Sequence, residues 1–169
     1  MSDRTRIENP ELIARVLPRG AAFILRDYDA PRRAILARRL QAICRARKIL
    51  FFVGGDVALA RSLGAEGVHL PAWMQAAARH GMMASASCHS AGALEDAAAR
   101  GVRVAFLSPA FETKSHPHAR ALDAARFKAL AAAAPLPVLA LGGVDETNAA
   151  RLSGPNVAGL AAIGAFLPR

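Results

Sequence analysis

The sequence predicts an α/β protein whose parallel strands alternate with helices in a (β/α) barrel. Apolar runs and alanine-rich helical patterns alternate from end to end with short turns between them, as βα units around a parallel sheet do. Val, Leu, Ile, Phe and Ala fill the strand runs almost without interruption, the composition of strands covered on both faces. No strand is followed by G-x-G-x-x-G, which argues against an open dinucleotide-binding sheet and for a barrel.

Seven strands are expected: AAFILRD from Ala21, ILFFVGG from Ile49, GVHLP from Gly67, MASASCH from Met83, VRVAFLSP from Val102, PVLALGGV from Pro137 and VAGLAAIGAF from Val157. Between them, Asp29 before Pro31, Ser90 before AGALEDAAAR and Asp145 before ETNAARL have the chemistry of helix N-caps. Gly64, Gly101 and Gly154 stand where helices stop. In PRRAILARRLQAICRARK, Ile35, Leu36, Leu40, Ile43 and Cys44 repeat at helical spacing, which would leave Arg32, Arg33, Arg39 and Arg47 mostly facing water.

A chain of 169 residues, 53% hydrophobic, suits one domain spanning 1–169. No apolar run approaches the roughly 20 residues of a membrane span, and MSDRTRIENP lacks a secretory hydrophobic stretch, so a cytoplasmic protein without a membrane partner is expected. Cys44 and Cys88 are too few for a disulfide framework or a structural zinc site. The net charge of +9 attracts anions of any size, but much of it lies on one solvated helix face; a small anion is expected, not nucleic acid.

In a barrel the functional groups gather at the C-terminal ends of the strands. Those ends offer Arg26 with Asp27 and Tyr28, Gly54 with Gly55 and Asp56, His69, Ser87 with Cys88 and His89, Ser108 onward, Gly142 with Gly143, and Gly164. The glycines after the last two strands either expose backbone N–H groups to a phosphate or merely permit tight turns, and phosphate binding is the expectation. His89 is either an acid/base near neutral pH or a packed histidine beside a helix start. Arg26 is an anion clamp or a surface ion pair, His69 a structural residue, and the HPH of His116 and His118 a loop without a third metal ligand.

GAEGVHL, the S-x-H of Ser87 and His89, SPAFETKSHP, PVLALGGV and GLAAIGAF stand in the order and spacing of the thiamine phosphate synthase and TenI family, which the chain resembles from about Arg26 to Phe166. The resemblance implies a TIM-type (β/α)8-like barrel. Its synthases join a pyrimidine methyl pyrophosphate to thiazole phosphate with magnesium, whereas TenI members move a proton on the thiazole. It further implies that Thr113, Lys114 and Ser115 contact ligand, that Gly142, Gly143, Ile163 and Gly164 hold the thiazole phosphate with Arg26 and Ser87 nearby, and that His89 matches the catalytic histidine of TenI.

Departures from the family pattern are specific. Gly54 and Gly55 align with the synthases' Asn-Asp, and Met74 with a second Asp, so both carboxylate ligands of magnesium are replaced by residues without oxygen in the side chain. Asp56 lies one residue along. The family's pyrophosphate clamp is thinned as well, because its QLREK becomes ILRDY, which keeps Arg26 but puts Ile24 and Tyr28 for Gln and Lys. No metal site is therefore expected, and magnesium only if the synthase reaction is retained. Only MSDRTRIE precedes the first matched helix, so the barrel lacks its first strand or has an irregular one; it is open there, or a second copy in a homodimer covers the edge. Three functions follow: a TenI-like protein moving a proton through His89, a synthase with an altered metal site, and a non-catalytic binding descendant.

Overall fold

In the computed structural model, which describes residues 1–74, 81–113 and 120–163, the seven expected strands all form and run parallel in sequence order. They are β1 Ala22–Leu25, β2 Leu50–Gly54, β3 Gly67–Leu70, β4 Met83–Cys88, β5 Val104–Leu107, β6 Val138–Ala140 and β7 Val157–Leu160. The helices are α1 Pro10–Val16, α2 Arg33–Arg47, α3 Val57–Leu63, α4 Ala91–Ala99 and α5 Asp123–Ala133, with a 3₁₀ turn at Ala149–Leu152. No described helix is long and apolar enough to cross a membrane.

Outside the His69, Ser85 and Ser87 positions the strands are mostly apolar, because alternate residues serve two layers. Phe23, Leu25, Phe51 and Val53 point to the helices and pack with Leu40, Cys44, Leu94 and Phe127. Ile24, Phe52, Phe106 and Leu141 point the other way and form a smaller cluster inside the curled sheet. Each buried phenylalanine contributes roughly 1.5–3 kcal/mol of transfer free energy. Gly67 makes room for one of them, since a Cβ there would strike the Phe52 ring.

Local signals set most helix ends. Asn9 caps α1 by accepting from the N–H groups of Glu11 and Leu12, with Pro10 in the first turn. Ser90 caps α4 through Ala93 N–H (3.2 Å), and Gly64 ends α3 at φ 64°. Two expected caps differ. Arg32, not Asp29, stands at the start of α2, in a left-handed conformation with no side-chain cap, while Asp29 faces Arg4 across 4.0 Å. The Asp145 carboxylate accepts from Thr147 N–H (2.8 Å) and hydroxyl (2.6 Å) and closes a turn ahead of the 3₁₀ segment instead of starting an α-helix.

The irregular first strand has a definite form. Ser2 N–H donates to Ile24 O (2.9 Å), Arg26 N–H donates to Ser2 Oγ (2.8 Å), and the Met1 nitrogen donates to Ala162 O (3.1 Å). Two residues thus touch both the β1 edge and the chain just beyond β7, and Met1 joins the inner cluster. The segment is too polar to make a strand, yet Met1 and Ser2 suffice to satisfy part of each edge.

Candidate active site at the C-terminal mouth

Because side chains alternate, the inward residues near the ends of neighbouring strands converge above the inner cluster. His69 on β3 and Ser85 and Ser87 on β4 form one buried polar row there. His69 is 1% exposed, with Nδ1 3.0 Å from Ser85 Oγ and Nε2 3.0 Å from Ser87 Oγ, and its ring meets Phe106 edge-on at 5.2 Å. Burial, and then the positive charges of Arg26 and the amino terminus, push the imidazole down to about 3. It stays neutral and holds Ser87, which is half-buried at the rim.

His89 follows β4 and is exposed. Its Nδ1 lies 2.7 Å from the carbonyl oxygen of Ser108 and 3.3 Å from that residue's Oγ. A carbonyl oxygen only accepts, so Nδ1 carries the proton and Nε2 presents a lone pair when the ring is neutral. The Ser108 contact also joins the ends of β4 and β5.

Gly142 and Gly143 follow β6 at φ 94° and 66°. A Cβ at Gly142 would lie 2.9 Å from Pro109 Cα, and one at Gly143 2.8 Å from Phe111 Cβ. The glycines therefore admit the loop after β5, which pins itself to them through Ala110 N–H to Leu141 O (2.9 Å) and Phe111 N–H to Gly142 O (3.0 Å). The N–H groups of Gly142 and Gly143 donate to no described residue. The start of FLSPAFETKSH is a packed strand end, and Thr113 lies where that loop leaves it; Lys114, Ser115, His116, His118 and Gly164 lie outside the described residues. Ile163 is half-buried against the core beyond β7.

Arg26 is half-buried at the end of β1, with no carboxylate within ion-pair reach among the described residues. Arg33, expected on a solvated face, is instead 13% exposed at its side chain. As the first residue of α2 it turns onto the strand ends, donating to the carbonyl oxygens of Asp27 (2.9 Å), Leu25 (3.3 Å) and Gly54 (2.5 Å). Its run of arginines hid it, since helical periodicity does not mark a first-turn residue that caps other chain ends.

The carboxylates near Gly54 and Gly55 are committed. Asp56 Oδ1 caps α3 through Leu59 N–H (2.8 Å), and Oδ2 lies 3.5 Å from Arg33 Nη1. Asp27 Oδ1 accepts from Arg4 N–H (2.6 Å), and Met74 supplies a thioether whose own backbone carbonyl accepts from Arg100. A hard divalent cation needs several free oxygen donors, and this donor set does not fit one. Among the described residues no three His, Cys, Asp or Glu side chains group as metal ligands.

The whole arrangement has relatives. Residues 2–166 match the family model described as thiamine monophosphate synthase. The chain is 39% identical over 163 residues to a thiamine-phosphate synthase of Chromobacterium violaceum, covering 90% of this chain and 78% of that one. It is 32% identical over 157 residues to a thiamine-phosphate synthase of Thioalkalivibrio sulfidiphilus, covering 86% and 74%. A thiamine phosphate pyrophosphorylase structure from Pyrococcus furiosus superposes with a TM-score of 0.76 at 23% identity, over 96% of this chain and 83% of that one, a likeness of fold. With an extensive family match and relatives above 30% identity, the chain belongs to the thiamine monophosphate synthase family.

Proposed function

We propose that this protein binds a thiazole phosphate at the barrel mouth and moves a proton on that ring through His89. The observation that carries this is the 2.7 Å contact from His89 Nδ1 to Ser108 O, which leaves Nε2 as the group that takes a proton from one ring position and returns it at another. No atom is gained or lost; the product is a tautomer of the substrate. Arg26, which has no carboxylate partner among the described residues, and the N–H groups of Gly142 and Gly143, which donate to none of those residues, supply charge and donors for the phosphate, and Ser87 a hydroxyl oriented by His69. Thr113, Lys114, Ser115, Ile163 and Gly164 complete the proposed binding set.

Replacing His89 by Ala tests the reading. Isomerisation of the thiazole carboxylate phosphate is expected to fall by about 10²–10⁴, the usual worth of a positioned acid/base, with affinity by calorimetry unchanged. Equal turnover in the variant removes His89 from the mechanism. If the unaltered protein binds the thiazole phosphate and never isomerises it, a non-catalytic binding role replaces this one.

The names of its relatives favour a second reading, condensation of the thiazole phosphate with a pyrimidine pyrophosphate. In that reaction magnesium would stabilise the leaving pyrophosphate, and the committed Asp56 with Gly54 and Gly55 speaks against it. Magnesium-dependent formation of thiamine phosphate by the purified protein would restore the synthase reading.

A further inference from the structure

Two groups of side chains at the mouth differ in kind. Tyr28 and Trp73 are exposed, and their rings meet edge to face at 5.8 Å. Ser85, His69 and Ser87 form a row from the interior to the rim, and hydrogen bonds in a row have a direction that ring contacts lack. His69 pairs with Ser85 in the register of β3 and β4, and Ser87 lies two residues on, on the same face. Ser85 and His69 are each 1% exposed, whereas Ser87 is half-buried.

The direction of the row follows from its donors. The His69 ring is neutral, so one nitrogen carries a proton and the other accepts. If Nδ1 carried it, Nδ1–H would donate to Ser85 Oγ. The Ser85 O–H would then lack an acceptor, because His69 is the only hydrogen-bond partner of that hydroxyl among the described residues. If Nε2 carries it, Ser85 O–H donates to Nδ1 and Nε2–H donates to Ser87 Oγ, so both buried donors are satisfied. A buried hydroxyl proton without a partner is costly, while the Ser87 proton at the rim has water or ligand to meet. The row therefore runs outward, and the bond that Ser87 Oγ accepts polarises its own O–H as a donor.

We infer that Ser85, buried beneath the rim, is a positioning residue that acts through His69 to make the Ser87 hydroxyl a hydrogen-bond donor to the mouth. Ser87 then offers its proton to an acceptor atom of the ligand, such as an anionic oxygen. The direction of the row stands by itself, and only the ligand used to test it rests on the proposed function.

The His69 tautomer is read in the free protein by proton–nitrogen correlation of the ring nitrogens in ¹⁵N-labelled protein, with His69→Gln identifying the signals. Nε2 is expected to carry the proton and Nδ1 to be bare. A proton on Nδ1 overturns the inference, whether or not any ligand binds. Affinity for thiazole carboxylate phosphate is then measured by calorimetry in Ser85→Ala, Ser87→Ala and the double variant. Without the Ser85 hydroxyl each tautomer leaves Nδ1 unpaired, so the preference weakens and part of the molecules turn the Ser87 proton inward to Nε2. Ser85→Ala is therefore expected to bind severalfold more weakly, and Ser85→Thr, which keeps the hydroxyl, to bind as the unaltered protein does. In the Ser87→Ala background, Ser85→Ala is expected to cost nothing further. A purely structural Ser85 would cost the same affinity in both backgrounds, and that result overturns the positioning role, as does unchanged affinity in Ser85→Ala. If Ser85→Ala does not fold, the tautomer in the unaltered protein decides. If the unaltered protein does not bind the thiazole phosphate, the proposed function falls, and the tautomer still decides this inference.

Discussion

Arg33 Nη2 donates to the carbonyl oxygen of Gly54, and so joins the first turn of α2 to the end of β2. The same guanidinium holds the carbonyls of Leu25 and Asp27. These are strand-end carbonyls with no further strand residue to pair with, and charged donors satisfy them more strongly than neutral ones. Arg33→Ala is therefore expected to cost about 2–3 kcal/mol, read as a lower urea midpoint at unchanged slope. Arg39→Ala, whose partner Glu11 stands 3.8 Å away on the surface, is expected to cost well under 1 kcal/mol.

Stability should depend on pH through His69. Its ordinary value is 6.5 and the folded protein pushes it down to about 3, so between those values the unfolded chain binds a proton that the native state refuses. The His69 contribution is then full above about pH 6.5 and falls as pH drops toward 3, by up to about 1.4 kcal/mol per pH unit within that window. Chemical unfolding at pH 7, 6 and 5, above most carboxylate titrations, should show the decline in the wild type. His69→Gln, which keeps hydrogen-bonding atoms but cannot titrate, should remove the decline below about pH 6 and leave the part between pH 8 and 6 that the buried Met1 amino group, pushed down to about 6, contributes.

Gly143→Ala is expected to lower stability by about 1–3 kcal/mol, because the added methyl would meet Phe111 and the Glu112 carbonyl at a backbone angle of φ 66°. Thermal melting reads the loss. If the glycine serves only as a flexible turn with space around it, the melting temperature will stay within a degree.

Both thiols should be inert in the folded protein. Burial raises Cys44 to about 12 and Cys88 to about 11, and Cys88 also donates to Ala93 O at 3.3 Å. A colorimetric thiol reagent at pH 8 is expected to find almost no reactive sulfur until denaturant is added, and then both. Prompt labelling of either native thiol would show that its layer opens.

The strands were legible because parallel strands covered on both faces leave long apolar runs, and the runs from Ala21 to Val157 carry no other signal. Ser90 and Gly64 were legible because their cap chemistry is local. Asp29 misled because a capping residue two positions before a proline says nothing of a competing partner such as Arg4, distant in sequence. Arg33 and the Tyr28–Trp73 pair were illegible for the same physical reason: each acts through residues brought close only by the parallel pairing of β1, β2 and β3. The strand ends offered His89 and Ser87 as candidates; that His69 lies between Ser85 and Ser87, and that Ser108 O selects the His89 tautomer, needed the register of β3, β4 and β5.

Met1 and Ser2 give the hoop of strands a clasp. Where β1 and β2 are riveted by four residue pairs in register, the join between β1 and the chain past β7 hangs, among the described residues, on four hydrogen bonds made with Met1 and Ser2, one of them the long 4.0 Å contact from Arg26 Nη1 to Met1 Sδ. Under stress a hoop yields at its clasp, so the girth of the mouth is set there, and amide exchange at Ser2 and Arg26 should run ahead of exchange in β2 and β3.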